Sequence, residues 1–113
     1  MINPVNKYYA KKVYDEVYGM FGSKKEYSDW MKHILMQKSG LIHDLKRQVN
    51  FVVIDKTDKF RDCKYRADIV YKDKEDNIHV VDTKGMKSGE PYEKFIMKKK
   101  LMYIKYGIVV EEI

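Results

Sequence analysis

The chain has 113 residues, 44% hydrophobic and 13% aromatic, enough for one small core and too few for a catalytic domain joined to a separate recognition domain. Its 23 Lys and Arg against 17 Asp and Glu give a net charge of +6, which suits a polyanionic partner such as nucleic acid. The single Cys63 excludes an internal disulfide and a cysteine zinc site, and with no apolar leader or spanning run the expected location is cytoplasmic.

No internal repeat and no Pro-, Gly- or Ser-rich linker interrupts the sequence, so one domain is expected over 1–113, with an arm at 1–20 and a core at 21–113. In the arm, Tyr8 and Tyr9 lie among Lys7, Lys11 and Lys12; they either stack on bases or pack on their own domain. Val13, Tyr14, Val17 and Tyr18 read as a strand or a helix edge, and Gly19 and Gly22 as turns.

Residues 23–40 carry the clearest helical pattern. Tyr27, Trp30, Met31, Ile34 and Leu35 recur at helical spacing as one apolar face, and Gly40 is placed to end it. Ser23 and Glu26 match a capping box, which explains Glu26 structurally and is the reading the spacing favours; at the edge of the inward face, Glu26 could instead turn toward the sheet. His33 falls on the helix flank and His43 in the following loop, neither with a visible partner. A strand is predicted over 48–54 from the alternation of Val49, Phe51 and Val53, then a polar loop over 55–62.

Two further strands follow. Tyr65-Arg66-Ala67-Asp68-Ile69-Val70-Tyr71 and Val80-Val81-Asp82-Thr83-Lys84-Gly85 flank a charged turn, and Asp68 and Asp82 are equidistant from Glu75. A hairpin centred there sets the two aspartates opposite each other on one face, with Cβ atoms roughly 5 Å apart. Lys84 shares the Asp82 face while Thr83 points opposite. Paired carboxylates repel, and a divalent cation between them removes that cost; Mg²⁺ is commonly held by one or two carboxylates with its waters retained. The plainer alternative for Asp82 and Lys84 alone is a solvated ion pair.

After a glycine-bounded loop over 85–89, Pro91 opens a second helix and Gly107 lies past its end. Tyr92, Ile96 and Tyr103, adjoined by Met97, Leu101 and Ile104, are its expected buried stripe. Lys94, Lys98 and Lys105 share the opposite flank, with Lys99 and Lys100 at the margins, as a solvated face or a phosphate-facing one. Lys24, Lys25, Arg66, Lys87, Lys94, Lys98 and Lys100 are the candidate DNA contacts. A last short strand is expected at 108–110.

This order of elements, with Asp68 followed by Asp82-Thr83-Lys84, resembles the PD-(D/E)XK nuclease superfamily, whose core is αβββαβ. Phe21-Gly-Ser-Lys-Lys-Glu26, Gln48, Tyr65-x-Ala-Asp68, Val81-Asp-Thr-Lys-Gly85, and Lys98-Lys-Lys-Leu101 followed by Tyr106-Gly107 resemble small phage-encoded members more closely. Archaeal Holliday junction resolvases are similar in size and layout. The resemblance covers roughly 21–110. It implies a restriction-endonuclease-like α/β fold, a mixed central sheet flanked by helices. It further implies Mg²⁺ or Mn²⁺ held by Asp68, Asp82 and the Thr83 carbonyl, Lys84 as the catalytic lysine, and Glu26 as the first-helix acid, near the metal directly or through water. Lys98 or Lys100 would match a basic residue delivered by the second helix. Ala67 stands where proline is commoner, and Asp82 where glutamate is. The implied function is metal-dependent, structure-selective DNA cleavage, sharpest as phage Holliday junction resolution by a homodimer, because paired nicks need two sites. The competing readings are a catalytically silent DNA-binding or replication-accessory module on the same fold and a structural protein without nucleic-acid affinity.

Overall fold

The computed structural model describes residues 11–84 and 89–113. Their elements are β1 (Val13–Asp15), β2 (Gly19–Phe21), α1 (Lys24–Lys38), β3 (His43–Ile54), β4 (Cys63–Lys72), β5 (Ile78–Asp82), α2 (Glu90–Tyr106) and β6 (Glu111–Glu112). The fold is mixed α/β. A four-stranded sheet in the order β3-β4-β5-β6 is antiparallel except for the parallel β5–β6 pair, and a separate β1–β2 hairpin precedes α1. Tyr8, Tyr9 and Lys87 fall outside the described residues.

Local chemistry sets the boundaries. Ser23 caps α1 by accepting the Glu26 N–H at 3.0 Å. Pro91 sits in the first turn of α2, and Gly107 closes it in the left-handed conformation at φ 69°. Between β4 and β5, the Asp73 carboxylate accepts the N–H groups of Glu75 and Asn77, and Asp76 adopts φ 63°. The resulting register pairs Ile69 with Val81 and Val70 with Val80, centred on Glu75 as the sequence spacing predicts. Continued by one residue, it sets Asp68 opposite Asp82.

Each sheet face buries its own cluster. On the α2 side Val53, Tyr65, Ala67, Val80, Phe95, Met102 and Val110 pack together; on the α1 side, Phe21, Trp30, Ile34, Ile69 and Val81 do. On β4, Tyr65 and Ala67 therefore face α2 whereas Ile69 faces α1, and strict alternation would have put all three on one face. The change of face occurs at Asp68. Its neighbour on β3 is Gln48, between the pairs Arg47–Ile69 and Val49–Ala67, and Gln48 carries φ 54°. A left-handed residue rotates the strand locally and reverses which face the following side chains meet.

Several expectations shift. Leu35 is 66% exposed, and His33 is buried in its place, its Nδ1–H donating to the Asp29 carbonyl (2.7 Å) against the Tyr71 ring. Two anchors turn α1 this way: the Tyr27 hydroxyl on Asp15 at 2.8 Å, and the Gln37 side chain accepting the Leu45 N–H at 2.9 Å. In α2 the buried residues are Phe95 and Met102, while Met97, Tyr103 and Ile104 are exposed. His43 opens β3 rather than lying in a loop. The last strand is Glu111–Glu112, not 108–110, because Val110 is drawn into the core and ladder pairing begins only at Glu111.

His79 clamps this C-terminal strand. Its ring stacks on Tyr71 at 4.8 Å and reaches Asp73 at 2.8 Å and Glu111 at 3.0 Å, which raises its pKa, chiefly through Asp73.

The contrast between the expected and observed stripes is measurable. Met102→Ala should cost about 2–5 kcal/mol in urea unfolding, as a fully buried side chain is lost. Leu35→Ala should change stability by no more than about 0.5 kcal/mol.

Candidate functional site

β4 runs past the end of β5: the β4–β5 pairs stop at Ile69 and Val81, while Cys63 to Ala67 pair with β3 alone. That leaves a notch at the end of β5, and the candidate residues gather around it. The backbone beyond Asp82 is held by the chain's last residue, since the Ile113 N–H donates to the Asp82 carbonyl and the Lys84 N–H to the Ile113 carbonyl.

Regular alternation at the end of β5 sends Asp82 and Lys84 to the α2 side and Thr83 to the α1 side. Asp82 is buried, 4% exposed, and its carboxylate lies 2.6 Å from the Lys84 ammonium. Lys84 in turn sits 3.7 Å above the Phe95 ring, an aromatic face that favours a cation. Thr83 faces the other way: its N–H donates to Asp68 at 2.8 Å and its hydroxyl to Asp29 at 3.1 Å.

Asp68 and Asp82 meet within hydrogen-bonding reach, although Asp68 borders a cavity on the α1 side and Asp82 one on the α2 side. The expectation of one shared face is therefore corrected: the change of face at Gln48 turns Asp68 toward α1, and the carboxyl groups meet across the open strand end. Burial pushes Asp68 up to about 7, helped by Asp82 and more weakly by Glu26, and opposed by the Thr83 N–H.

The α1-side cavity is small, about 10 Å³, near the size that admits one water, and is lined by Phe21, Glu26, Trp30, Arg47, Gln48, Asp68, Ile69 and Thr83. Glu26 forms only half of the capping box: its N–H is bound by Ser23, while its carboxylate lies over Gly22, where a Cβ would come within 2.5 Å of Oε2. Arg47 stacks on Phe21 at 3.6 Å and donates to the Tyr18 and Met20 carbonyls, setting a positive charge near Glu26 and Asp68.

The α2-side cavity is about 240 Å³ and open, lined by Tyr65, Arg66, Asp82, Lys84, Pro91, Lys94, Phe95 and Lys98. Four cations there face one carboxylate. Arg66 hydrogen-bonds Gln48 and Lys94 pairs with the exposed Glu90. Lys100 lies elsewhere, on a larger and almost wholly apolar cavity of about 590 Å³ with Ile96, Lys99, Tyr103, Ile104 and Val109. α2 thus brings Lys98, not Lys100, to the notch. Lys24 and Lys25 are exposed at the start of α1, with Lys25 paired to Asp29 at 3.0 Å.

Sequence reasoning missed Tyr65, Trp30, Arg47 and Asp29 here. Tyr65 had a usable signal, standing three residues before Asp68 on the same strand; the others arrive through tertiary packing alone.

Among the described residues, no three His, Cys, Asp or Glu side chains gather as a metal cage. The donors fit a hard cation nonetheless. The buried Asp82 and the half-buried Asp68, whose pKa is raised first by burial and then by Asp82, stand beside main-chain oxygen and an open cavity for water, the oxygen donors that Mg²⁺ or Mn²⁺ accepts. No helix among the described residues is long and apolar enough to cross a membrane.

The raised Asp68 pKa has a signed consequence. Folding favours its protonated form, so the penalty is absent below an unfolded pKa of ~3.9 and complete above about 7. In EDTA, thermal stability should fall as pH rises through that window. The His79 clamp also weakens as pH rises through its raised pKa, so the informative quantity is the difference between wild type and Asp68→Asn. The variant should gain on the wild type between about pH 5 and about pH 8; parallel curves would mean that Asp68 is not strained.

A family model described as a protein of unknown function matches residues 5–112. No curated protein and no solved structure matches the chain.

Proposed function

The chain belongs to that family, DUF1064, and because the family's description names no activity, we propose from the site's own geometry a divalent-metal-dependent DNA endonuclease acting on branched DNA. The observation that carries this reading is the Asp68–Asp82 pair, with Lys84 on the buried Asp82, at the end of a notch walled by Arg66, Lys94 and Lys98. The order α1, β3, β4, β5, α2, β6 supports membership of the PD-(D/E)XK superfamily, since it repeats the αβββαβ order of that core.

In this reading Asp68, Asp82 and the Thr83 carbonyl hold the ion, with Glu26 close by on the α1 side. When bound, a divalent cation supplies charge stabilisation to the phosphoryl oxygens and makes water more acidic. The chain's own groups do the rest. Arg66, Lys94 and Lys98 receive the phosphate backbone, whose regular charge they read without base contacts, as suits selection by DNA shape. Lys84, poised over Phe95, can leave Asp82 for a phosphoryl oxygen or the attacking water. Thr83 N–H and the Ile113 main chain keep the strand end rigid, so the carboxylates need little reorganisation.

Four-way junction resolution by a homodimer, in a phage-infected cell's cytoplasm, is the sharpest form of the proposal. Symmetric paired nicks require two such sites related by a two-fold axis. The alternative, a silent DNA-binding module, keeps the basic wall but has no use for a strained acid pair.

End-labelled four-way junction, flap, single-stranded and linear duplex DNA, each with Mg²⁺, Mn²⁺ or EDTA, separate these readings. Symmetric metal-dependent nicking of the junction is expected, reduced by at least about 10²-fold in Asp82→Ala and in Lys84→Ala. Lys98→Ala should weaken junction binding and lower its salt slope by about one, whereas Lys100→Ala should leave both near wild type. Tight binding with no cleavage under any metal would instead establish the silent module.

A further inference from the structure

Three tyrosine hydroxyls around this core have clear acceptors. Tyr27 donates to Asp15 at 2.8 Å, Tyr92 to Glu112 at 3.0 Å, and Tyr106 to the Val52 carbonyl at 2.6 Å. Tyr65 is different. Its side chain is buried, 4% exposed, its hydroxyl has no hydrogen-bond partner, and it lines the α2-side cavity together with Asp82.

A phenylalanine would fill the same space against Phe95 without stranding a donor. Among the described residues only one other buried side-chain polar atom lacks a partner, the Trp30 indole N–H, and Trp30 lines the Glu26–Asp68 cavity. Both stranded donors therefore border the carboxylate pair, one from each face of the sheet. Unsatisfied donors concentrated at one place mark a site built for a state other than the one seen.

The geometry identifies that state for Tyr65. Lys84 now occupies Oδ2 of Asp82 at 2.6 Å, so the carboxylate is oriented by a flexible cation. We propose that Tyr65 is a positioning residue: when a divalent cation replaces Lys84 on Asp82, the Tyr65 hydroxyl donates to that carboxylate and fixes its rotamer, freeing Lys84 for the phosphate. Tyr65 touches neither ion nor substrate, and acts through Asp82 as outer partners of metal-binding carboxylates do. The inference rests on the metal-dependent reading above.

The test compares the full-length protein with Tyr65→Phe. Trp30, the chain's single tryptophan, lines the site and reports Mn²⁺ arrival through its emission. Tyr65→Phe should weaken Mn²⁺ binding by about tenfold or more, while the thermal midpoint in EDTA stays equal to or above wild type, because only a stranded donor has been removed. An unchanged Mn²⁺ affinity in a wild type that binds the ion overturns the inference alone. A lowered midpoint in EDTA also overturns it, since the hydroxyl would then be serving the metal-free fold. A wild type that binds no Mn²⁺ removes the metal site itself, and the inference with it.

Discussion

Two carboxyl groups held against each other at the end of β5, Asp82 buried and Asp68 half-buried, are the constraint on which the rest of this molecule depends. Asp68 and Asp82 cannot both carry full charge there at ordinary cost, and the fold answers in three ways: an Asp68 pKa raised to about 7, the Lys84 ammonium on Asp82, and the Thr83 N–H on Asp68. A fold built for stability alone would place apolar residues at that point. The neighbouring architecture, from the shortened β5 to the C-terminal residues that brace its end, keeps the pair in place and leaves one side open.

The device that brings them together is a change of face. With Gln48 in the left-handed region, β3 and β4 present one face to α2 along Val49–Val53 and Tyr65–Ala67, and the other to α1 along Arg47 and Ile69. Asp68 stands at the crossover, so it borders the Glu26 cavity while remaining within reach of Asp82. The notch therefore has a small, closed side near Glu26 and Arg47 and an open, basic side near Lys84, Lys94 and Lys98. That division matches an ion held on one side and a polyanion approaching from the other.

How much of this could be read beforehand follows from the range of the forces involved. The helices, the β4–β5 hairpin and its register were legible, because capping residues, Pro91, Gly107 and the Asp73 turn act within a few residues. The placing of Asp68 opposite Asp82 along the hairpin followed from the same arithmetic, but not the face each carboxyl group takes. What escaped was set over long separations. The rotation of α1 that buries His33 rather than Leu35 depends on Tyr27 reaching Asp15 and Gln37 reaching Leu45. Phe95 and Met102, rather than Tyr103 and Ile104, became the α2 core because β6 and Val110 fix which side of that helix meets the sheet. No alternation rule gives the reversal at Gln48, since a positive φ in a non-glycine residue is a product of its surroundings.

The most direct measurement of the central claim is anomalous diffraction from crystals of the full chain soaked in Mn²⁺ at neutral pH. The account predicts a manganese peak coordinated by Asp68, Asp82 and the Thr83 carbonyl, with Lys84 moved off Asp82. A peak at another carboxylate cluster, such as Asp73 and Glu111 beside His79, or an Asp68–Asp82 pair still closed on Lys84 with no metal at saturating Mn²⁺, would contradict it.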